Sequence, residues 1–264
     1  MQNNSEFGYP QFNEDFDMPL CATGKHSAPL HPNMLMDITV YRMNQGSTLE
    51  LRIRGNEIAV LLIEGKARLA WDDQEATVQR NSPIDDAGYC LHVCRDVKVT
   101  ISALADNTEI LIQSTENPRE FPARLYTPEN TRRDTFGRGQ FDGKAERTVS
   151  TYFDIENAPY SNMVCGEIVQ PQGGWSSYPP HEHPHPEVYY YRFGHPNGFG
   201  ACFLDDDVHK IRDRSFAAIP GGKYHPQVTA PGYAMMYVWM IRHFDGYPWN
   251  ERNFHPEHQW LLGS

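Results

Sequence analysis

Two histidines and a glutamate, His181-x-His183-x-x-x-Glu187, stand inside the run Gly174-Trp-Ser-Ser-Tyr-Pro-Pro-His-Glu-His-Pro-His-Pro-Glu-Val-Tyr-Tyr-Tyr-Arg-Phe-Gly194. In an extended strand successive side chains point to opposite faces. Residues 181, 183 and 187 share parity, so two imidazoles and a carboxylate can face the same way. That donor set suits a divalent cation such as Zn, Mn, Fe or Ni. The best candidate for a fourth ligand is His225, in Pro220-Gly-Gly-Lys-Tyr-His225. His185 has ligand parity too. Flanked by Pro184 and Pro186, it reads as a pocket residue. The plainer alternative for the whole cluster is a proline-rich turn with surface histidines.

Strands must position these groups, and the chain supplies them. Its 264 residues carry 39% hydrophobic and 12% aromatic side chains, the composition of a folded globule, and 20 Gly and 20 Pro punctuate it. Ile38–Tyr41, the alternating Leu49–Arg54, the apolar run Ile58–Ile63, Ala67–Trp71, Val99–Ala103 and Ile110–Ile112 read as short strands. From 118 to 144 the strand signal stops. It resumes with Thr148–Phe153, Met163–Val169, Phe199–Leu204, Val208–Ile211, Ser215–Ile219 and Ala234–Arg242. This rhythm predicts an all-β chain of two similar halves. The boundaries read as a loosely ordered arm over 1–30, a first domain over 31–118, a connection over 119–147 and a second domain over 148–264.

The two candidate ligand stretches resemble the two cupin motifs. Glu187 is followed by six residues and Gly194, as in the first motif. Pro220 to His225 fits Pro-x-Gly-x-x-His, the second, and strand-like sequence separates them. Thr229 stands where the second motif often has Asn. Several strings further resemble the 5-deoxy-glucuronate isomerase family of myo-inositol catabolism: Asn56–Val60, Gly174–His183, Glu187–Tyr190, Pro220–Pro226, Ala230–Tyr233 and Pro256–Leu261. They span nearly the whole chain. The Trp175–His183 string is the most specific, because the sister family, the 4-deoxy-L-threo-5-hexosulose-uronate isomerases of pectin breakdown, lacks its Trp-Ser-Ser-Tyr lead-in. Only Pro-His-Pro separates His183 from Glu187, shorter than is usual in the family, so the pocket rim differs.

The resemblance implies two cupin barrels (double-stranded β-helices, or jelly rolls), with a divalent metal in the second alone. Zinc is expected first, with Mn and Fe as alternatives, on His181, His183, Glu187 and His225. The first half has Glu57 but no His-x-His, and a lone His92 reads as a packed strand residue. The implied reaction is aldose–ketose isomerisation of a small sugar acid, 5-deoxy-D-glucuronate to 2-deoxy-5-keto-D-gluconate. It needs a Lewis acid and a group that moves a proton between adjacent carbons. Glu187, Tyr189, Tyr191 and Lys223 are the catalytic candidates, with Glu182 and His185 also titratable nearby. The alternative for the tyrosines is strand packing. Trp175, Tyr178, His185, Arg138 and Arg242 are the substrate-binding candidates. Arg138, with Arg132 and Arg133, belongs to a basic cluster that is either a solvated face or a carboxylate site. Lys223 and Arg242 are further partners for a substrate carboxylate.

Competing readings are a related uronate isomerase, a metal-dependent cupin dioxygenase or decarboxylase, and a non-catalytic sugar-binding cupin. A formal net charge of -11 argues against nucleic acid and anionic membrane as partners. No dinucleotide glycine loop is present. Neither a signal peptide nor an apolar span is visible, and five scattered cysteines suit a reducing cytoplasm. Strand edges make a homo-oligomer the expected assembly.

Overall fold

A computed structural model describes residues 6–263. Met1–Ser5, within the expected arm, and Ser264 lie outside the described residues. The chain divides into two compact units. One comprises Pro10–Thr131 with Glu156–Met163; the other comprises the N-terminal residues through Tyr9, Arg132–Ile155 and the chain from Val164 onward.

The first unit is built on one strand, Asn56–Trp71. Its residues 56–63 are all buried, so the apolar run is not alternating. The sequence ends one strand at Ile63 and begins another at Ala67, with Glu64-Gly65 between them. The structure instead carries one 16-residue strand through it, with a register shift between Leu62 and Glu64. Gly65 has φ 105°, and a Cβ there would meet the Thr108 backbone at 2.7 Å, so glycine lets the strand bend. Before the bend the strand pairs with Thr108–Glu116 and Tyr89–Val93; after it, with Gln74–Arg80 and Val99–Ala103. One strand thereby serves both faces of a curled sheet. Val60, Leu62, Leu69, Leu91, Ile101 and Ile110 fill the interior, each contributing about 1.5–3 kcal/mol relative to exposure.

Within this unit Glu57 is fully buried, and its neighbours donate to it. His92 Nε2 lies 2.8 Å from Oε2 and Ser161 Oγ 2.9 Å; the Asn162 amide reaches Oε1 at 2.6 Å and Asn117 Nδ2 at 3.1 Å. His92, read as a packed strand residue, is one, and it also carries this bond. These contacts tie Glu156–Met163 into the unit.

The second unit holds a sheet in the order 7–8, 216–219, 187–193, 235–242, 163–170, 147–153 and 132–136, and a four-stranded sheet of 175–176, 227–229, 199–204 and 207–212. Tyr191, Tyr237, Trp239, Ile241, Cys202 and Ile211 pack between them. Segments expected to be irregular contribute strands. Phe7–Gly8 pairs with Phe216–Ala217, Asp17–Cys21 with Ile38–Tyr41, Arg124–Tyr126 with Cys90–His92, and Arg132–Phe136 with Arg147–Thr151. Edge pairing is a tertiary property, so their polar sequences hid it. All five cysteines are free. No helix of the described residues is long and apolar enough to cross a membrane.

Candidate metal centre

The ligand run is less extended than its parity suggests. Only His181–Glu182 and Glu187–Phe193 are strands; the prolines break the segment between them. Convergence comes from two loops meeting. The Gly222 amide donates to the His183 carbonyl at 2.8 Å. A Cβ on Gly221 would stand 1.8 Å from the Pro184 carbonyl oxygen, so only glycine allows this approach. Gly222 has φ 85°. Together they bring His225 against the first motif.

Potential ligand atoms of His183, Glu187 and His225 lie within 4.8 Å of one another, and all three residues are buried. His181 falls outside that group, although its ring centroid is 5.2 Å from that of His225, as near as the 5.4 Å between His183 and His225. Each histidine spends its Nδ1 hydrogen on a backbone carbonyl: His181 on Pro179 at 3.1 Å, His183 on His185 at 3.0 Å, and His225 on Lys223 at 2.8 Å. Neutral imidazole has one N–H, so each Nε2 is left with a lone pair.

The Nε2 atoms of His183 and His225 stand 3.1 and 3.3 Å from the same oxygen, Glu187 Oε2. Lone pairs facing a carboxylate repel unless a cation sits among them. Burial, with the neighbouring His225 and Arg252, pushes the His181 imidazole well below its usual range, and burial lowers His225 also. Protons on His181 and His225 therefore make poor cations here. Burial acts to raise the Glu187 carboxyl, but its polar neighbours, the Tyr189 hydroxyl among them, outweigh this and hold it below its ordinary value. Neutral imidazoles beside an ionised carboxylate are what a divalent ion requires. Ligands about 2.1 Å from a shared ion at tetrahedral to octahedral angles lie about 3.0–3.4 Å apart, the spacing found here. The residues present fit a metal.

The other candidates are distributed unevenly. The Tyr189 ring is 5.9 Å from that of His225, and its hydroxyl is 3.2 Å from Ser177 Oγ. Burial, then the charge of Glu187, raises its pKa well above the usual phenol value, so it is a protonated donor. Tyr191 donates to Gln227 Oε1 at 2.8 Å and belongs to the core, where strand packing is its observed role. Lys223 Nζ is taken up by Glu6 at 3.0 Å and by Asp205 at 3.8 Å. Glu182 accepts from Asn253 Nδ2 at 2.7 Å. His185 donates to the Tyr247 carbonyl at 2.7 Å and stacks on Phe244, so it braces a loop while its own carbonyl orients His183. Arg138 lies exposed in a turn. Arg242 donates to the His243 carbonyl and lies 3.9 Å from Asp245. Trp175 and Tyr178 lie with tilted rings 5.4 Å apart in an aromatic group with Phe203, which stacks on Trp175, and Phe141.

The sequence missed the C-terminal strap. Asn253–Phe254 pairs with His181–Glu182. Phe254 meets the His181 ring edge-on at 5.7 Å, and Trp249 meets His183 at 5.8 Å. Tyr237, 4.6 Å from Tyr189 and bonded to Ser176, was also missed. The signal available for both was apolar or aromatic character alone.

Similar proteins share most of the length of this chain. The 5-deoxy-glucuronate isomerase of Geobacillus thermodenitrificans is 26% identical over 245 residues, 85% of each chain. Among solved structures, an IolB-like protein from Salmonella typhimurium LT2 superposes with TM-score 0.78 at 22% identity, covering 86% of this chain and 90% of its own. Oxalate decarboxylase of Lactobacillus farciminis superposes with TM-score 0.63 at 12% identity over 94% and 85%. At that identity these two establish the fold, the all-β cupin architecture. The KduI/IolB family model matches residues 17–261, and the chain therefore belongs to the KduI/IolB family.

Proposed function

We propose that this protein is an aldose–ketose isomerase converting 5-deoxy-D-glucuronate to 2-deoxy-5-keto-D-gluconate in myo-inositol breakdown. The observation that carries the reading is the set of imidazoles fixed through Nδ1, with their Nε2 lone pairs turned toward the ionised Glu187. The relatives' name supplies the reaction class. His183, Glu187, His225 and the adjoining His181 hold a divalent ion, zinc first. When bound, that ion supplies Lewis-acid polarisation of the substrate carbonyl.

The protein's own groups do the rest. The carbonyls of Pro179, His185 and Lys223 hold the three imidazoles in one tautomer. Glu187 takes the proton from the carbon beside the aldehyde and returns it to the aldehyde carbon, while the hydroxyl proton on that neighbouring carbon passes to the former aldehyde oxygen as the carbonyl changes place. Tyr189, a neutral phenol, donates to the oxygen on which charge develops. Phe254, Trp249 and the Trp175–Tyr178 pair exclude water around the reacting carbons.

The test is incubation of the metal-loaded protein with 5-deoxy-D-glucuronate in deuterated water, followed by NMR. The expected result is the 2-deoxy-5-keto acid with deuterium on the carbon that carried the aldehyde. Full retention of substrate hydrogen means a hydride shift instead. No conversion of this acid, with turnover of 4-deoxy-L-threo-5-hexosulose uronate, would assign the sister reaction.

A further inference from the structure

The string Trp175-Ser-Ser-Tyr178 is the most distinctive in the sequence, and the metal centre uses neither of its serines. Both are buried, and each meets a tyrosine of the seven-stranded sheet. Ser176 ends the short strand Trp175–Ser176, and its Oγ lies 2.7 Å from Tyr237 Oη. Ser177 then leaves the strand with φ 49°, in the left-handed region that favours glycine. Its Oγ lies 3.2 Å from Tyr189 Oη. The two tyrosines stand on neighbouring strands, 187–193 and 235–242, with ring centroids 4.6 Å apart. Tyr189 shares a strand face with Glu187 two residues before it, and its ring is 5.9 Å from that of His225. A strained serine therefore stands where glycine would fit without strain, and what glycine lacks is the hydroxyl that meets Tyr189.

We propose that Ser177 is a positioning residue for the isomerisation: its hydroxyl donates to Tyr189 Oη and keeps the phenol hydrogen turned to Glu187 and to the substrate oxygen that comes beside it. This rests on the isomerase reading above. A phenol has one hydrogen to give, and an ionised carboxylate only accepts. The Tyr189 hydroxyl is bonded to the Glu187 carboxyl, so its hydrogen is spent there. Between Tyr189 and Ser177 the remaining hydrogen is the serine's, which makes Ser177 the donor. The opposite arrangement, with Tyr189 donating to Ser177, would turn the phenol hydrogen away from the reacting carbons. A hydroxyl that accepts one bond while giving another is the stronger donor. Ser177 thereby strengthens the bond from Tyr189 as charge develops on the substrate oxygen. The bond between Ser176 and Tyr237 holds the preceding residue against the sheet and fixes where Ser177 stands.

The test uses the zinc-loaded full chain and 5-deoxy-D-glucuronate. Ser177→Gly removes the hydroxyl and relieves the left-handed backbone, so a serine with a purely structural role could be replaced without loss of rate. The expected result is a folded protein with its metal, and kcat lowered about 3- to 10-fold at unchanged KM. Ser177→Ala keeps the Cβ and should show the same loss, so the outcome does not hang on the folding of one variant. In a Tyr189→Phe background, adding Ser177→Gly should lower kcat by less than about twofold, because the serine acts through the phenol. Wild-type kcat in Ser177→Gly overturns the proposal, as does its full loss repeated in the Tyr189→Phe background. The tyrosine Fermi doublet in the Raman spectrum gives a readout without substrate. Subtracting the Tyr189→Phe spectrum isolates this phenol, and the intensity ratio separates donor from acceptor. Ser177→Gly should shift that ratio toward a pure donor; an unchanged ratio, or a shift toward an acceptor, overturns the proposal. If the wild type fails to isomerise 5-deoxy-D-glucuronate but the doublet shifts as expected, the reaction assignment falls and the direction of the hydrogen bond stands.

Discussion

Each unit buries a glutamate beside histidine, Glu57 next to His92 in one and Glu187 next to His183 and His225 in the other. Around Glu57 every neighbour is a donor: an imidazole, an amide nitrogen, a hydroxyl and a carboxamide nitrogen. The carboxylate is saturated, and its contacts tie a segment to the barrel. Around Glu187 the two histidine neighbours offer lone pairs, because they have already spent their hydrogens on carbonyls. The difference teaches that a buried carboxylate is read by the direction of its neighbours' hydrogens. Donors make it structural, whereas acceptors leave a place for a cation.

The most severe way to break the comparison is to remove an imidazole on the acceptor side. His183→Ala or His225→Ala should lower turnover at least about a thousandfold, while circular dichroism stays native because each ring lies in a site between loops. Undiminished isomerisation would mean the centre is misplaced. On the donor side, Glu57→Gln should cost about 3 kcal/mol in denaturant unfolding, since it strips a buried charge from four donors. Metal content of the folded variant should be unaffected. Glu187→Gln should do the opposite, losing metal while the metal-free protein keeps its stability.

Smaller changes sharpen the picture. Gly221→Ala forces a Cβ toward the Pro184 carbonyl and should destabilise by about 1–3 kcal/mol with weaker metal retention, read by unfolding and chelator competition. Gly222→Ala meets no atom within 4 Å and carries only the strain of positive φ, about 1 kcal/mol. Tyr189→Phe should reduce kcat about tenfold at unchanged KM, losing a donor and no binding surface. Tyr191→Phe removes the bond to Gln227 and should appear chiefly as about 1 kcal/mol of stability.

Much of this centre was legible in sequence because its ligands carry their chemistry in their residue types and lie in two compact motifs. The barrels were legible from strand rhythm. What was hidden depends on distance along the chain. Trp249 and Phe254 reach His183 and His181 beside a two-residue pairing that no local pattern announces. Gly221 occupies a position the motif leaves free, and its importance lies in a carbonyl from another loop. The parity argument grouped His183 with Glu187, which the structure brings together, yet the prolines hold His183 and His185 off any strand and send their rings different ways. Likewise Glu64-Gly65 reads as the end of one strand and proves to be a bend within it.

The most direct test of the central claim, that acceptor-faced Glu187 marks the one metal centre, is metal analysis of purified wild-type, His92→Ala and His225→Ala proteins. The account predicts one divalent ion per chain in the wild type, one in His92→Ala, and none in His225→Ala. Two ions per wild-type chain, or an ion kept by His225→Ala and lost by His92→Ala, would contradict it.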